Sequence, residues 1–94
     1  TVTKNQIDIV YKNDTIIADA IINDKSNIIA IADYNGNIKI IDQKSYKLKY
    51  TLSIGKKNRT KIAIDKEVKY LLAIYDEKDI VIWDLETKKI KYKI

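Results

Sequence analysis

The most constraining feature of this chain is an internal repeat with a spacing of about 42 residues, which predicts one supersecondary unit that occurs twice in tandem. The segment IIAIADYNGNIKIID at 28–42 is similar to LLAIYDEKDIVIWD at 71–84, since each runs from apolar residues through a polar turn to an aspartate. Aligning the two apolar runs gives the second copy a turn one residue shorter than the first. Downstream, the segment 42–52 matches the segment 84–94, so the repeat extends to the end of each copy.

Both copies are predicted to be β-sheet. Apolar and polar residues alternate with period two, and the strand-favouring residues isoleucine, valine and tyrosine dominate the apolar positions. The predicted strands are 16–22, 27–33, 37–42 and 46–53 in the first copy, and 61–66, 69–75, 79–84 and 88–94 in the second. The short polar connections are typical of antiparallel hairpins. In the first copy Asn35-Gly36 predicts a tight primed turn, and Glu77-Lys78 takes that place in the second.

The composition limits the chemistry that this unit can perform. Charged residues make up 33% and hydrophobic residues 46% of the 94 residues, as expected for one folded domain. The chain has no cysteine and no histidine, which excludes disulfides, thiol nucleophiles and imidazole catalysis. No apolar run approaches the roughly 18 residues of a membrane span. We therefore expect a protein that is not an enzyme, holds no metal or other cofactor, and does not enter a membrane.

Two polar segments have patterns found at functional sites, but we interpret both as turns. Residues 33–37 begin like a calcium loop, yet Ile38 and Lys44 stand where such a loop requires glycine and glutamate. Residues 76–79 hold three acids within four positions, which could suggest acid–base chemistry. The sequence offers no nucleophile–base pair beside them, so a solvated hairpin tip is the better interpretation.

The third strand of each copy carries a resemblance to a known family. Residues 80–84, Ile-Val-Ile-Trp-Asp, end in the Trp-Asp pair, and residues 38–42 match them more weakly. In these residues, and in a four-stranded unit of about 42 residues, the chain resembles the WD-repeat β-propeller blade. Residues 35–38, Asn-Gly-Asn-Ile, look like the Asp-Gly-Thr-Ile turn of that family. A propeller of another lineage is the alternative.

The sequence also departs from the family pattern. The Gly-His dipeptide is absent because there is no histidine, and Ile41 stands where the family has tryptophan. The turn aspartate of the family falls on Asn35 and Glu77. The departures imply that the hydrogen-bond network by which the family locks a blade is missing or rebuilt here.

The resemblance implies a division into residues 1–14, an outer strand of a preceding blade plus connector, residues 15–53, blade one, and residues 54–94, blade two. The leading strand is placed at residues 7–11, and the four strands of each blade are expected to run from the inside of a ring to its outside. Propellers close with about four to eight blades. Two blades should leave two open faces, lined by residues such as Ile31, Ile40, Ile74 and Ile82. We therefore expect an incomplete propeller, either a fragment of a longer chain or an assembly, completed by further blades of the same chain or by other copies.

The net charge of +5 raises the possibility of a basic surface that binds nucleic acid. However, Arg59 is the only arginine, and phosphate and base edges favour the planar guanidinium. The last strand of each copy, 46–53 and 88–94, alternates lysine with apolar or aromatic residues. Lysines on a solvent-facing strand prevent edge pairing, which accounts for most of the positive charge structurally.

A binding surface is expected at one rim of the propeller. The basic loop 56–59 connects the two copies, and the resemblance implies that it shares a rim with the hairpin loops 33–37 and 76–79. The candidate partner-binding residues are Lys56, Lys57, Arg59, Tyr34, Asn35, Glu77 and Lys78. We expect a non-enzymatic scaffold that presents these loops to a protein partner. The alternatives are the nucleic-acid-binding surface, or a segment of a larger enzyme whose chemistry lies on other blades.

Four further residues are expected to have structural roles. The only tryptophan, Trp83, is assigned to packing because of its place in the repeat. Asp42 and Asp84 each stand three residues before a hydroxyl residue, where a carboxylate accepts hydrogen bonds from the backbone of the turn. Gly36 is assigned to the hairpin turn.

Overall fold

The computed structural model describes residues 6–7, 11–55 and 59–94. Eight strands are found in this part of the chain: β1 (Ile17–Asn23), β2 (Ile28–Asp33), β3 (Asn37–Asp42), β4 (Leu48–Ser53), β5 (Thr60–Ile64), β6 (Tyr70–Tyr75), β7 (Asp79–Asp84) and β8 (Lys89–Lys93). They form two four-stranded antiparallel sheets in which each strand pairs with the next, β1-β2-β3-β4 and β5-β6-β7-β8. We call these sheets blade one and blade two. The predicted all-β fold of two four-stranded antiparallel units is confirmed.

The two sheets repeat at one constant offset, the separation of Asp42 from Asp84, and this corrects the sequence alignment. Ala30 lies opposite Ile40 in blade one, and Leu72 lies opposite Ile82 in blade two. Leu72 is therefore the counterpart of Ala30, although the apolar letters align Ala30 with Ala73. The prediction of a shorter second hairpin is wrong, since β6 ends and β7 begins with the same separation as β2 and β3.

The turn chemistry of these hairpins is the reverse of the prediction. In blade one Gly36 has a φ of 80°, Asn35 is not among the described residues with positive φ, and Gly36 N donates to Asp33 O at 3.2 Å. That arrangement places glycine after the turn rather than inside a primed turn. In blade two Asp76 and Glu77 have φ values of 55° and 63°, so the two successive positive φ angles of a primed turn occur without glycine.

The predicted leading strand at residues 7–11 is only partly within the described residues, so it stays a prediction. Tyr11 N donates to Ile7 O at 2.8 Å. The remaining residues of that segment, 8–10, lie outside the described part of the chain.

Blade one is covered on both faces. One face packs against blade two in a cluster that includes Ile28, Ala30, Ile40, Leu71, Ala73, Val81 and Trp83. The other face forms a second cluster of Ala20, Ile29, Ile31 and Ile41 around Ile7, which is 2% exposed. Every residue of β2 is consequently buried. The expectation that Ile31 and Ile40 line open faces is therefore wrong, because the first lies under Ile7 and the second lies between the blades.

Blade two is covered on one face. Along β6, Leu71, Ala73 and Tyr75 are buried against blade one, whereas Leu72 and Ile74 are partly exposed. Ile80 and Ile82 of β7 share the face of Leu72 and Ile74, because residues directly opposite on paired strands project to the same side. The expected open face lined by Ile74 and Ile82 is therefore found in blade two, whereas blade one has no such face among the described residues.

Candidate interaction rim

Both hairpin turns between the second and third strands of a blade are attached to the chain that enters that blade. Tyr34 N donates to Ile16 O at 3.1 Å, and Asp76 N donates to Arg59 O at 2.8 Å. Arg59 thus lies at the base of the β6–β7 turn. Its Nη1 is 3.9 Å from Glu77 Oε1, and both side chains are mostly exposed. An exposed ion pair of this kind stabilises the fold little, so both charges remain available to a partner.

In blade one a buried carboxylate organises the turn. Asp33 is fully buried, and its Oδ1 accepts hydrogen bonds from the backbone N–H groups of Asn35 at 2.9 Å and Asn37 at 3.1 Å. Its Oδ2 accepts from Asn13 Nδ2 at 3.3 Å. Buried carboxylates require such donors, so Asp33 fixes the turn and joins it to the segment that precedes β1.

The network continues from Asn13 to the middle of β3. Lys39 Nζ donates to Asn13 Oδ1 at 2.6 Å and to Asp14 Oδ1 at 3.0 Å. The hydrogen bond and charge of Lys39 lower the pKa of the Asp14 carboxyl. Asn35 Nδ2 donates to Thr15 Oγ1 at 2.7 Å, so, with the Asn13–Asp33 and Tyr34–Ile16 hydrogen bonds, the turn and the connector hold each other at three points.

In blade two the corresponding positions are apolar or aromatic. Tyr75 stands at the position of Asp33, and Val81 at that of Lys39. Tyr75 Oη and Trp83 Nε1 are buried with no hydrogen-bond partner among the described residues. Burial raises the pKa of Tyr75, and the nearby Trp83 indole offsets only part of that increase. Packing against blade one, rather than a carboxylate network, therefore holds this rim.

Three structural candidates, Asp42, Asp84 and Trp83, lie at the opposite rim or between the blades, whereas Gly36 lies in the β2–β3 turn. Asp42 Oδ2 accepts from Lys44 N at 3.1 Å, Ser45 N at 2.8 Å and Ser45 Oγ at 2.9 Å. The backbone and hydroxyl of Ser45 lower the pKa of Asp42. Asp84 Oδ1 accepts from the N–H groups of residues 86 and 87 at 2.9 and 3.1 Å. Trp83 is 5% exposed in the cluster between the blades.

The partner-binding candidates divide into three groups. Arg59, Glu77 and Lys78 are exposed side chains at the β6–β7 turn and its base. Tyr34, 40% exposed, and Asn35 occupy the equivalent turn of blade one. Lys56 and Lys57 lie outside the described residues.

No group of three or more histidine, cysteine, aspartate or glutamate side chains that could hold a metal occurs among residues 6–7, 11–55 and 59–94. Within the same ranges, no helix has the length and apolar character to cross a membrane.

Sequence reasoning missed the residue that joins the blades. Asp19 Oδ2 accepts a hydrogen bond from Ile62 N at 3.0 Å, linking β1 to β5. Its signal was a single acid inside the apolar stretch IADAII, since an acid there needs a specific donor. The sequence identifies Asp33 only as a turn residue, and Asn13 lies in no pattern that points to the rim.

No protein-family model matches the sequence, and no curated protein matches it. Among solved structures, U3-55K is 18% identical with a TM-score of 0.78, over 90% of this chain and 28% of that one. The Cps50 (Swd1) β-propeller domain of Myceliophteria thermophila gives the same identity and TM-score over 87% of this chain and 26% of that one. The RRP9 WD40 repeats do so over 90% and 27%.

The chain has the fold of two WD-repeat β-propeller blades. It spans about a quarter of the length of these solved chains. In this propeller segment the carboxylate that organises the turn of blade one is Asp33, two residues before the position where the family pattern places it. In blade one the hydrogen bonds of Asp33 thus take the place of the network by which the family holds a blade together. In blade two Glu77 stands at the family's turn position, and its side chain is exposed. The assignment of residues 15–53 and 54–94 as separate blade units stays a prediction.

Proposed function

We propose that this propeller segment is a non-enzymatic scaffold that binds a protein partner through its interaction rim, defined by Tyr34, Asn35, Arg59, Glu77 and Lys78. The observation that supports the proposal is that four of these exposed side chains stand on turns whose backbone donates hydrogen bonds to the entering chain, and the fifth, Arg59, supplies one of the acceptors. A surface ordered before binding loses little conformational entropy when a partner arrives.

The composition of the rim also favours a protein partner. Tyrosine and arginine are enriched among residues that contribute most to protein–protein affinity, and both are exposed here. The rim carries charges of both signs, which suits a mixed polar protein surface more than a polyanion. Lys56 and Lys57 join the proposal because they directly precede this rim in the sequence.

The proposal is tested by alanine substitution of Tyr34, Arg59 and Lys78 in the protein as expressed in its cell, followed by cross-linking and mass spectrometry. We expect the triple variant to lose its specific cross-linked protein while its thermal unfolding is nearly unchanged. Lys44→Ala with Glu86→Ala, two exposed positions on the opposite rim, serves as the control and should retain the cross-link. Loss of the partner in the control but not in the rim variant contradicts the proposal.

The nucleic-acid alternative makes a different prediction for the same surface. Neutralising phosphates with lysine and arginine makes affinity fall steeply with salt, by roughly 10³-fold or more between 50 and 200 mM for six or more contacts. We expect single-stranded RNA and duplex DNA to show no such binding. Salt-sensitive binding that is lost when Lys56, Lys57 and Arg59 become alanine would favour the alternative.

An enzyme whose chemistry lies on other blades is the remaining alternative. It is compatible with the same rim, because a scaffold blade can position a catalytic one. The rim variants separate the two: a scaffold loses its partner, whereas a supporting blade of an enzyme would retain its partners and change turnover.

A further inference from the structure

The side-chain amide of Asn13 is held by hydrogen bonds at both of its ends. Its Nδ2 donates to the carbonyl oxygen of Thr15 at 2.6 Å and to Asp33 Oδ2 at 3.3 Å. Its Oδ1 accepts from Lys39 Nζ at 2.6 Å. Because an ammonium group only donates, whereas carbonyl and carboxylate oxygens only accept, these partners leave one orientation for the amide. Its carbonyl is turned towards the lysine nitrogen and its NH₂ group towards the aspartate.

This placement is the one that transfer of the asparagine acyl group to the lysine requires. Such a transfer needs a nucleophile beside the carbonyl and a proton-transfer group beside the leaving nitrogen. The Cγ of Asn13 is bonded to both Oδ1 and Nδ2, so Lys39 and Asp33 contact the two sides of one reacting group. Groups positioned in this way react as if their concentration were about 10⁵ M or more.

The surroundings of Lys39 favour its action as a nucleophile. Its side chain is 13% exposed, and it lies opposite Ile31, a fully buried residue of the cluster around Ile7. Residues directly opposite on paired strands project to the same face, so the aliphatic part of Lys39 lies beside this apolar cluster. Desolvation of this kind activates a lysine amine. Asp33 is also fully buried, which keeps water from competing for the acyl group.

A second carboxylate contacts the same amine from the solvent side. Asp14 Oδ1 is 3.0 Å from Lys39 Nζ, and the Asp14 side chain is 80% exposed. An exposed ion pair holds its charges together only weakly, and the water around Asp14 can take up a proton from the ammonium group. Asp14 and Asp33 therefore differ in what they can do, because only Asp33 contacts the leaving nitrogen of Asn13.

We propose that Lys39 and Asn13 form an intramolecular isopeptide bond, with Asp33 as the proton-transfer residue. The bond would tie the segment that precedes β1 covalently to β3, the third strand of blade one. It uses none of the five residues that define the interaction rim, so the proposal stands or fails independently of the scaffold function.

The reaction needs only these side chains and water. Lys39 loses one proton to water, and its Nζ attacks Cγ of Asn13, so that a C–N bond forms and the carbonyl electron pair moves to Oδ1. Asp33 takes a second proton from Nζ and gives it to Nδ2, since both nitrogens are now bonded to one carbon. The electron pair on Oδ1 then re-forms the carbonyl, the Cγ–Nδ2 bond breaks, and ammonia leaves and takes up the first proton. No bond is oxidised or reduced.

The first test needs no variant. Mass spectrometry of the purified full chain should give a mass lower than that of the sequence by one ammonia. Proteolysis should yield a branched peptide in which the segment with Asn13 is joined to the segment with Lys39. A backbone succinimide at Asn35-Gly36 would also release one ammonia, but it gives no branched peptide, so the peptide map separates the two reactions.

The role of Asp33 is tested with chemically synthesised full chains, which start without the bond and lose ammonia after they are folded from urea. Asp33→Asn keeps the size of the side chain, removes the proton-transfer group, and should slow the loss of ammonia at least about 100-fold. Asp14→Ala removes the other carboxylate, and the bond should form at the same rate or faster. Circular dichroism verifies that each variant is folded.

Asn27 provides a matched control for Asn13. Its Nδ2 also donates to a carboxylate, Asp42 Oδ1, at 3.3 Å. Asn27→Ala should retain the loss of one ammonia and the branched peptide, whereas Asn13→Ala and Lys39→Arg should keep the full mass of their sequences.

Three results would overturn the proposal. The first is a folded wild-type chain that keeps the full mass of its sequence after prolonged incubation. The second is a loss of ammonia without a branched peptide that joins residues 13 and 39. The third is an equal rate of bond formation in the wild type and in folded Asp33→Asn, because it removes Asp33 from the reaction.

Discussion

Blade one and blade two repeat the same strands at the same spacing, yet only blade one is covered on both faces by described residues. Its second strand is wholly buried, with Ile31 under Ile7 and Ile40 against blade two. In blade two the equivalent strand alternates between buried and half-exposed residues. The difference shows that position in the stack, rather than the sequence pattern of the repeat, decides how much apolar surface each copy buries.

The two copies also differ in how their turns are held. Blade one uses the buried carboxylate of Asp33 and its hydrogen bonds to Asn13 and Asn35. Blade two places Tyr75 at that position and relies on contact with its neighbour. A buried hydrogen-bond network stabilises a turn only if every donor and acceptor in it is paired. Packing stabilises a turn only if the neighbouring blade is present.

The largest expected difference between the blades concerns a pair of isoleucines at equivalent positions. Ile38 is fully buried, so Ile38→Ala should lower the free energy of unfolding by about 3 kcal/mol through lost burial and a cavity. Ile80 lies on the partly exposed face of blade two that also carries Leu72 and Ile74, and Ile80→Ala should cost about 1 kcal/mol. Urea unfolding of the two variants measures the difference. Equal losses would show that this face of blade two is covered in the isolated chain.

The second comparison concerns the residues that hold the β2–β3 and β6–β7 turns in place. Asp33→Ala leaves the N–H groups of Asn35 and Asn37 without their acceptor and should cost about 2 kcal/mol. Tyr75→Phe removes a buried hydroxyl that has no partner among the described residues, so stability should stay the same or rise slightly. Chemical denaturation tests both. A large loss in Tyr75→Phe would reveal a hydroxyl contact and remove the contrast.

The third comparison uses the turns themselves. Glu77 has a φ of 63°, a conformation that side chains with a Cβ adopt at a cost of about 1 kcal/mol. Glu77→Gly should therefore raise the free energy of unfolding by up to about 1 kcal/mol, less the greater flexibility of glycine in the unfolded chain. Gly36→Ala in blade one should lower it by a similar amount. Glu77→Ala, which removes the ion pair but keeps the strain, is the control and should be near neutral.

The smallest expected effect is a pH dependence that distinguishes the Asp42 turn. Folding lowers the pKa of Asp42 below its ordinary value of 3.8, through the N–H and hydroxyl of Ser45. The contribution is therefore fully present above about pH 4 and is lost as the pH falls through the lower, folded-state pKa. Asp42→Asn and Ser45→Ala should each flatten the decline of stability in acid. Identical slopes for wild type and variants, measured by urea unfolding between pH 5 and 2, would contradict this.

The strands were predictable because their residues alternate, and each predicted strand overlaps the observed one closely. The alignment of β2 with its counterpart β6 was not predictable. Because β2 is buried on both faces, its sequence has no alternation to show which side each residue faces. The sequence alignment of the two copies is therefore shifted by one residue. It pairs Ala30 with Ala73, which are the same residue type but lie on opposite faces of their sheets.

The candidate rim was predictable only in outline. The position of the loops followed from the resemblance, and Tyr34, Asn35 and Glu77 occupy exposed turns. The buried network around Asp33 was not predictable, because Asn13 lies 20 residues away in sequence and joins it only once the sheet has formed. Local patterns do not encode hydrogen bonds that depend on tertiary contacts.

The contact of Ile7 with the outer face of blade one has a consequence for synthesis. The buried residues of that cluster all precede Asp42, so it is complete as soon as β3 has left the ribosome. Apart from Tyr46, which packs against the cluster from beyond β3, the emerging chain needs no later residue of this cluster to shield that side from aggregation. The opposite side stays exposed until β6 and β7 follow, so the vulnerable interval of translation is the delay between the two halves.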